Sequence, residues 1–189
     1  MSVVIGFTGH RPTKLIGGYE TYNGVVGKKY ESHLMELSDF FCPVLDIFSP
    51  DYVRAGMAPG ADTAVAFAAV RKGIPLIACM PYPTFSKDWS DDAQRDLEYL
   101  VKNAHQVVYT REVEPENKIG VNRALHESNI NVTNGISLLI SLWNFEKKGG
   151  TYNCIQYCKE RNIQTVNLWA LYKARFDSGF INTNSCSPI

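Results

Sequence analysis

The strongest constraint on the fold is the alternation of short apolar segments with segments of helical periodicity along the chain. Residues 3–7 form an apolar run suited to a strand that is buried on both faces. The same alternation continues along the chain and predicts further elements. They are strands at 52–55, 74–80, 106–109, 136–142 and 165–168, and helices around 30–41, at 63–72, from residue 90 onwards, at 121–130 and at 151–161.

This alternation predicts an α/β fold, a doubly wound and mainly parallel sheet of about six strands with helices on both faces. A length of 189 residues is typical of one domain, so we expect a single domain over residues 1–189. The sequence becomes polar from about residue 172, which predicts a C-terminal tail over residues 172–189.

Charge and composition argue against several classes of function. The 19 basic and 19 acidic residues give no net charge, so we do not expect nucleic acid to be the main partner. No apolar stretch is long enough to span a bilayer and no signal peptide is visible, which favours a cytoplasmic protein without a membrane partner. A homo-oligomer formed through helices is compatible with this fold class.

The cysteines do not have the spacing of a metal site. Five are present, and none forms part of a CxxC pair. Cys154 and Cys158 lie four residues apart, a spacing that favours buried thiols on one helical face over metal ligands. We therefore predict neither a metal nor a cofactor.

In a parallel sheet, ligands bind where the carboxyl ends of the strands meet, so the loops that follow strands carry the function. The first of these loops is Thr8-Gly9-His10-Arg11-Pro12. Gly9 lets the backbone approach a ligand closely, and Arg11 offers a planar fork for a phosphate or a carboxylate. His10 suits acid–base chemistry. Hydrogen bonds to neighbouring carbonyls, which would hold the turn, are an equal alternative for Arg11 and the favoured role for His10.

The second loop, residues 56–63, consists mostly of small residues. Such residues leave backbone N–H groups uncovered at the start of the next helix, where an anion binds. Asp62 has two interpretations in this loop. The residue type alone favours an N-cap of the helix, whereas a ligand for a ribose hydroxyl is the functional alternative.

The third loop is Lys147-Lys148-Gly149-Gly150-Thr151. Two glycines, a hydroxyl and two cations at the start of a helix are suited to phosphate binding, although a solvated surface turn has the same composition. Trp143 and Asn144 end the preceding strand, and packing is favoured for Trp143 over contact with a base or sugar. The GxxxxGK[ST] and GxGxxG signatures are both absent from the sequence.

Three segments together resemble one known superfamily: GFTGHRP at 6–12, GMAPGADTAVAFAA at 56–69 and SLWNFEKKGGTYNCIQYCKE at 141–160. They are similar to the SMF/DprA and LOG (SLOG) superfamily of Rossmann-like proteins, and most similar to its small stand-alone branch of YspA- and YpsA-like proteins from bacteria and phages. The resemblance covers residues 3–168. It implies a Rossmann-like domain that binds a nucleotide or a nucleotide-derived small molecule at the carboxyl edge of its sheet.

By matching position, the resemblance also implies a set of ligand-binding residues. Gly149 to Thr151 would form the phosphate-binding turn, and Asn122 corresponds to a region where the small branch often has an asparagine near the site. The implied residues are Thr8, Gly9, Arg11, Met57, Gly60, Asp62, Asn122, Gly149, Gly150 and Thr151.

One departure from the superfamily bears on catalysis. The hydrolase branch carries a PGGxGTxxE motif, whereas here one glycine is missing and Cys154 stands at the position of the glutamate. We therefore expect a sensor or ligand-binding protein. The alternative is an N-glycoside hydrolase that releases the base from a nucleoside 5′-monophosphate, with Asp62 and His10 as the catalytic pair. Single-stranded DNA binding, as in the DprA branch, is a lesser alternative that the zero net charge disfavours.

Overall fold

The structure, a computed structural model, describes residues 2–16 and 27–177, and the side chains of residues 27–29 are excluded. Strands and helices alternate along the described chain, with a short 3-10 turn at Pro12–Lys14 after the first strand. In chain order the elements are β1 (Val4–Gly9), α1 (Gly27–Phe48), β2 (Tyr52–Ala55), α2 (Ala61–Arg71), β3 (Leu76–Met80), α3 (Asp91–Asn103), β4 (Gln106–Tyr109), α4 (Lys118–Val132), β5 (Leu138–Leu142), α5 (Gly150–Glu160), β6 (Gln164–Asn167) and α6 (Trp169–Phe176).

The six described strands form one sheet in the order β4-β3-β2-β1-β5-β6, and every neighbouring pair is parallel. Ile5 of β1 pairs with Val53 of β2 on one side and with Leu138 of β5 on the other. From β1 the chain first builds the sheet towards β4 and then returns to build it towards β6. The strand order therefore reverses beside β1, and ligands of such sheets bind at this point. The predicted α/β fold is confirmed.

Helices cover both faces of the sheet because alternate side chains of the strands point in opposite directions. On one face, α1, α2, α3 and α6 contribute to the main hydrophobic cluster with Ile5 and Phe7 of β1. On the other face, α5 packs on Leu139 through Ile155 and the two thiols at 154 and 158, as the spacing of these cysteines predicted. Cys186 lies outside the described residues.

Helix α2 is deeply buried against the sheet. Eight of its residues are buried, five of them alanines, so the helix lies close against β1 and β2. Small side chains all round a helix allow this close approach, because no long side chain separates the two backbones. The approach brings the start of α2 to the carboxyl end of β1.

The predicted start of the C-terminal tail is wrong. Tyr172 is fully buried in α6, where its hydroxyl accepts a hydrogen bond from the N–H of Ile16 at 2.8 Å. The polar residues around Tyr172 lie on the outer side of a helix, and a polar composition alone does not distinguish such a helix from a tail. Residues 178–189 of the predicted tail lie outside the described residues.

Among the helices that the structure describes, none combines the length and the apolar character that crossing a membrane requires.

Candidate functional site

The loops that follow β1, β2 and β5 meet at the carboxyl edge of the sheet around a cavity of about 290 Å³. This volume is just below the range of small-molecule sites, which begins at about 300 Å³. The loop after β3 and the inner side of α4 complete the walls. The lining residues are Thr8, Gly9, His10, Arg11, Lys14, Gly56, Ala58, Asp62, Pro81, Phe85, Leu125, Ser128, Asn129, Lys148, Gly149, Gly150 and Thr151.

Gly9 connects the three loops through its backbone. Its N–H donates to Asp62 Oδ1 at 2.9 Å, and its carbonyl accepts from Thr151 Oγ1 at 3.0 Å. A Cβ at this position would lie only 2.4 Å from the Cβ of Ala61. Only glycine therefore lets the end of β1 lie this close to α2 while α5 is bonded from the other side.

Asp62 lies inside the first turn of α2, and the N-cap interpretation is wrong. Gly60 holds the N-cap position with a φ of 108°, a conformation that glycine adopts readily. The Asp62 carboxylate accepts hydrogen bonds from the backbone of Gly9 and of Ala58 instead. Residue type alone could not distinguish these roles, because the partner that decides between them lies 53 residues away in the sequence.

Burial raises the pKa of Asp62 to about 7, and the nearby Arg11 guanidinium and the two backbone hydrogen bonds oppose this shift. Desolvation dominates because the charged form loses its hydration inside the protein. A carboxyl group that titrates near neutral pH is suited both to hydrogen bonding with a ligand and to proton transfer.

The two helix N-termini at the cavity differ in what their backbone donors contact. At α2, the N–H of Ala61 donates to the carbonyl of His10 and the N–H of Thr63 to that of Ala58. At α5, Gly149 is the N-cap with a φ of 85° and supplies no side-chain cap. The first turn of α2 also contains the Asp62 carboxyl group, whereas the first turn of α5 contains no acidic residue, so the α5 terminus is the better suited to an anion.

Cations surround the start of α5. Lys148 pairs with Glu146 at 2.7 Å, and Lys14 pairs with the same carboxylate from the turn after β1. The hydrogen bonds from these two lysines lower the pKa of Glu146 to about 2. The Nδ2 atom of Asn129 lies 2.8 Å from the position that a Cβ of Gly150 would take, so the α4 amide group lies directly over the start of α5.

Arg11 lies between the first loop and the loop after β3. The carbon of its guanidinium is 5.9 Å from the centre of the Trp89 ring, within the range of a cation–π contact. The same guanidinium is close enough to Asp62 to lower the pKa of its carboxyl group. Both contacts keep the Arg11 side chain at the wall of the cavity.

His10 has a structural partner. Its Nε2 accepts a hydrogen bond from the N–H of Asn144 at 2.9 Å, so this nitrogen carries no proton. Burial lowers the pKa of His10 below its usual 6.5 and so favours the neutral ring, while the hydrogen bond with the Asn144 side chain opposes this shift. The ring connects the first loop to the end of β5, which agrees with a turn-holding role, although the partner is an N–H donor where a carbonyl was expected.

Three predicted residues do not line the cavity described above. Asn122 is exposed on α4, and Asn129 two turns later faces the cavity instead. Met57 is fully buried with a φ of 61°, and a Cβ on Gly60 would lie 2.6 Å from the carbonyl oxygen of His10. Met57 and Gly60 therefore fix the conformation of the second loop without contacting the cavity.

Trp143 packs beside the third loop. Its indole N–H donates to the carbonyl of Glu146 at 2.8 Å, and its ring contacts the rings of Phe145 and Tyr152. These contacts agree with the packing role that was favoured for it. Among the described residues, no group of three or more His, Cys, Asp and Glu side chains is arranged to hold a metal ion.

Sequence reasoning missed the lining residues from α4 and from the loop after β3, as well as Lys14 from the turn after β1. The end of a strand is a signal that could have indicated Pro81 and Phe85, because they follow β3 as the other loops follow β1, β2 and β5. No comparable signal exists for Leu125, Ser128 and Asn129, because only the packing of α4 brings them to the cavity.

Comparison with known proteins supports the fold. No family model and no curated protein matches this sequence. The structure is similar to the X-ray structure of DNA processing protein A (DprA) from Streptococcus pneumoniae, with a TM-score of 0.55 and 15% sequence identity over 88% of this chain and 50% of that one. This chain thus spans half the length of that protein. A second similar structure is TM1055, a structural genomics target, with a TM-score of 0.46 and 11% identity over 87% of this chain and 72% of that one.

The similarity to DprA supports the predicted α/β fold. The assignment to the superfamily that the three sequence segments resemble, and to its small stand-alone branch, stays a prediction.

Proposed function

We propose that this protein binds a nucleotide or nucleotide-derived ligand at the carboxyl edge of its sheet and acts as a sensor or ligand-binding protein. The observation that carries the proposal is the convergence of Arg11, Asp62 and Thr151 on one cavity. These residues belong to three separate loops, and the cavity lies where the strand order reverses. Each side chain offers chemistry that a sugar phosphate requires.

The phosphate group is assigned to the start of α5. The first-turn N–H groups of a helix and its dipole favour an anion, and Gly149 brings no side chain over them. Lys14 and Lys148 add positive charge at the same place, although they share the carboxylate of Glu146. The Thr151 hydroxyl donates to Gly9 and keeps its oxygen available as an acceptor.

The ribose is assigned to Asp62. Its Oδ1 accepts from Gly9, while Oδ2 would lie 2.8 Å from a Cβ on Gly56. The absence of a side chain at Gly56 leaves the carboxyl group accessible from the cavity, which it lines. A carboxylate in this position can accept a hydrogen bond from a sugar hydroxyl.

A binding role is favoured over catalysis because Cys154 is a poor substitute for a glutamate. Burial raises the pKa of the Cys154 thiol to about 12, and its Sγ contacts the carbonyl of Asn129 at 3.4 Å. A neutral buried thiol neither activates water nor stabilises a developing positive charge. The position occupied by the catalytic glutamate in the hydrolase branch is thus inert here.

Isothermal titration calorimetry tests the proposal. The panel is nucleoside mono- and diphosphates, cyclic nucleotides and ADP-ribose, titrated into wild type, Arg11→Ala and the control Lys102→Ala. Lys102 is an exposed cation on α3 that does not line the cavity. We expect at least one ligand to bind, about 10-fold or more weaker binding to Arg11→Ala, and no change in the control. Folded wild type that binds nothing in the panel would contradict the proposal.

An N-glycoside hydrolase is the second candidate, and Asp62 is the observation that favours it. A buried carboxyl group with a pKa near 7, lining a cleft, has the protonation behaviour of a general acid or base. Chromatography for free base, after incubation with mixed nucleoside 5′-monophosphates, tests this candidate. Release of free base by wild type would show that the protein is an enzyme. If wild type binds a nucleotide but releases no base, the sensor role is supported.

Single-stranded DNA is the third ligand class, because the structurally similar DprA is named a DNA processing protein. The cations Lys14 and Lys148 are paired with Glu146, and the chain has no net charge. We therefore expect no tight binding to single-stranded DNA, and a gel-shift titration at low and high salt checks this expectation.

A further inference from the structure

The cavity has two ends of different chemistry. Glycines and cations surround its α5 end, where the proposed function assigns a phosphate. Towards β3, Pro81 and Phe85 bring apolar side chains to the cavity beside the Arg11 guanidinium, and Leu125 of α4 adds a third apolar lining residue. Phe85 and Leu125 are only half-buried, so each presents apolar surface to the cavity. Apolar surface of this kind in a polar cleft is typical of a site for a flat apolar part of a ligand.

The order of the strands separates the two ends. Neighbouring strands lie about 4.8 Å apart, so the three steps from β5 to β3 correspond to about 14 Å. Gly9 and Asp62 lie between the two ends, on β1 and at the start of α2. Groups suited to a phosphate, a sugar and an aromatic ring therefore follow one another along the edge of the sheet, in the order in which a nucleotide carries them.

Contacts with neighbouring elements hold the apolar wall in place. The ring of Phe85 packs edge-to-face on the buried Trp89, with 4.7 Å between the ring centres. Lys87 and Thr84 both bind the carboxylate of Glu114, which connects this loop to the segment before α4. Because these contacts already hold the side chains in place, ligand binding would cost little additional conformational entropy in this wall.

We infer that Phe85, with Pro81 and Leu125, forms the subsite that holds the aromatic base of the proposed nucleotide. The inference rests on the proposed function and deepens it. It assigns the selection for a base to the loop after β3, which none of the three sequence segments includes.

The test compares two kinds of probe by calorimetry. The first kind is the four ribonucleoside 5′-monophosphates, and the second is ribose 5-phosphate, which has the same sugar and phosphate but no base. For wild type we expect at least one monophosphate to bind about 5- to 100-fold more tightly than ribose 5-phosphate, the range that base–aromatic stacking supplies. In Phe85→Ala this advantage should disappear, with the affinity for ribose 5-phosphate unchanged.

Two further variants make the result specific. Phe85→Leu retains an apolar side chain without a ring, and it should retain only part of the advantage. Tyr99→Ala removes an exposed aromatic residue on α3 that does not line the cavity, and it should change nothing. Unchanged binding of ribose 5-phosphate also shows that Phe85→Ala is folded.

Each other outcome is decisive. If ribose 5-phosphate binds wild type as tightly as all four monophosphates, the base subsite is wrong and the phosphate site stands. If Phe85→Ala keeps the preference for a monophosphate, the base contacts another part of the protein and the inference is overturned. If no probe binds folded wild type, the proposed function fails and the inference fails with it.

Discussion

Gly9 and Asp62 are joined by a hydrogen bond of 2.9 Å from the backbone N–H of the glycine to the carboxylate. The bond connects the carboxyl end of β1 to the first turn of α2. Asp62 is 9% exposed, so the carboxylate receives this bond and that from Ala58 in an environment with little water. A ligand-lining carboxyl group therefore also contributes to the fold, and its protonation should influence the stability of the protein.

The first prediction concerns the dependence of stability on pH. The pKa of Asp62 is raised from 3.8 to about 7 in the folded protein, so the folded state retains a proton that the unfolded state releases. The resulting stabilisation is fully present below pH 3.8 and is lost progressively as the pH rises to about 7. Between pH 5 and pH 8, the free energy of unfolding of wild type should fall by about 2–3 kcal/mol relative to Asp62→Asn.

Urea unfolding of both proteins at pH 5, 6, 7 and 8 measures this difference. Asparagine keeps an acceptor for the Gly9 N–H but does not ionise. The variant Asp62→Asn is therefore a control that lacks only the titration of residue 62. Parallel pH profiles for wild type and Asp62→Asn would show that Asp62 ionises normally in the folded protein.

The second prediction separates two glycines that both line the cavity. Gly9→Ala should lower the free energy of unfolding by about 1–3 kcal/mol, because the new Cβ would meet the buried Ala61 Cβ at 2.4 Å. Gly150→Ala meets only the end of the flexible Asn129 side chain, at 2.8 Å, so its stability should stay within about 1 kcal/mol of wild type. Its affinity for the nucleotide should fall, because the displaced amide group moves towards the proposed phosphate.

Thermal and urea unfolding, together with calorimetry on both variants, check this pair. Equal losses of stability in the two variants would contradict the close approach of β1 and α2. Unchanged affinity in folded Gly150→Ala would contradict the assignment of a phosphate to the start of α5.

The third prediction concerns Thr151, whose hydroxyl donates to the Gly9 carbonyl at 3.0 Å. Thr151→Val has nearly the same shape but leaves that carbonyl without its donor, so the free energy of unfolding should fall by about 1–3 kcal/mol. Thr151→Ser retains the hydroxyl and should lose about 1 kcal/mol or less, the value of one methyl group. Similar losses in both variants, measured by urea unfolding, would mean that packing of the methyl group matters more than the hydrogen bond.

Periodicity was sufficient to predict the architecture because each strand and most helices carry their own signal. The β3 residues, for example, are all buried and form a continuous apolar run, which is the pattern of a central parallel strand. The order of the strands was not predicted, because periodicity along the chain does not reveal which strands are neighbours in the sheet. Helix α6 was missed because only eight residues form it, and its one fully buried side chain is Tyr172.

Some residues of the candidate site could be predicted from the sequence and others could not. Glycines, cations and the carboxylate in the loops after β1, β2 and β5 could be predicted because their positions follow directly from strand ends. The role of Asp62 could not, because it depends on Gly9, which is far away in the sequence. The structural role favoured for His10 agrees with the structure, but its partner Asn144 could not be predicted. Asn122 was predicted only from the family resemblance. Which side of α4 faces the cavity depends on how the helix packs on α5 and β3, and this packing brings Asn129 there instead.

The last prediction distinguishes Asp62 from His10 if free base is released. The neutral His10 ring already accepts the N–H of Asn144 through Nε2, so its role is to hold the loop. His10→Gln offers a similar acceptor and should keep kcat within a few-fold of wild type. Asp62→Asn removes the group that titrates near neutral pH and should lower kcat by about 100-fold or more. Chromatographic assays across pH 5–9 measure both effects, and loss of activity in folded His10→Gln with retention in Asp62→Asn would reverse the two roles.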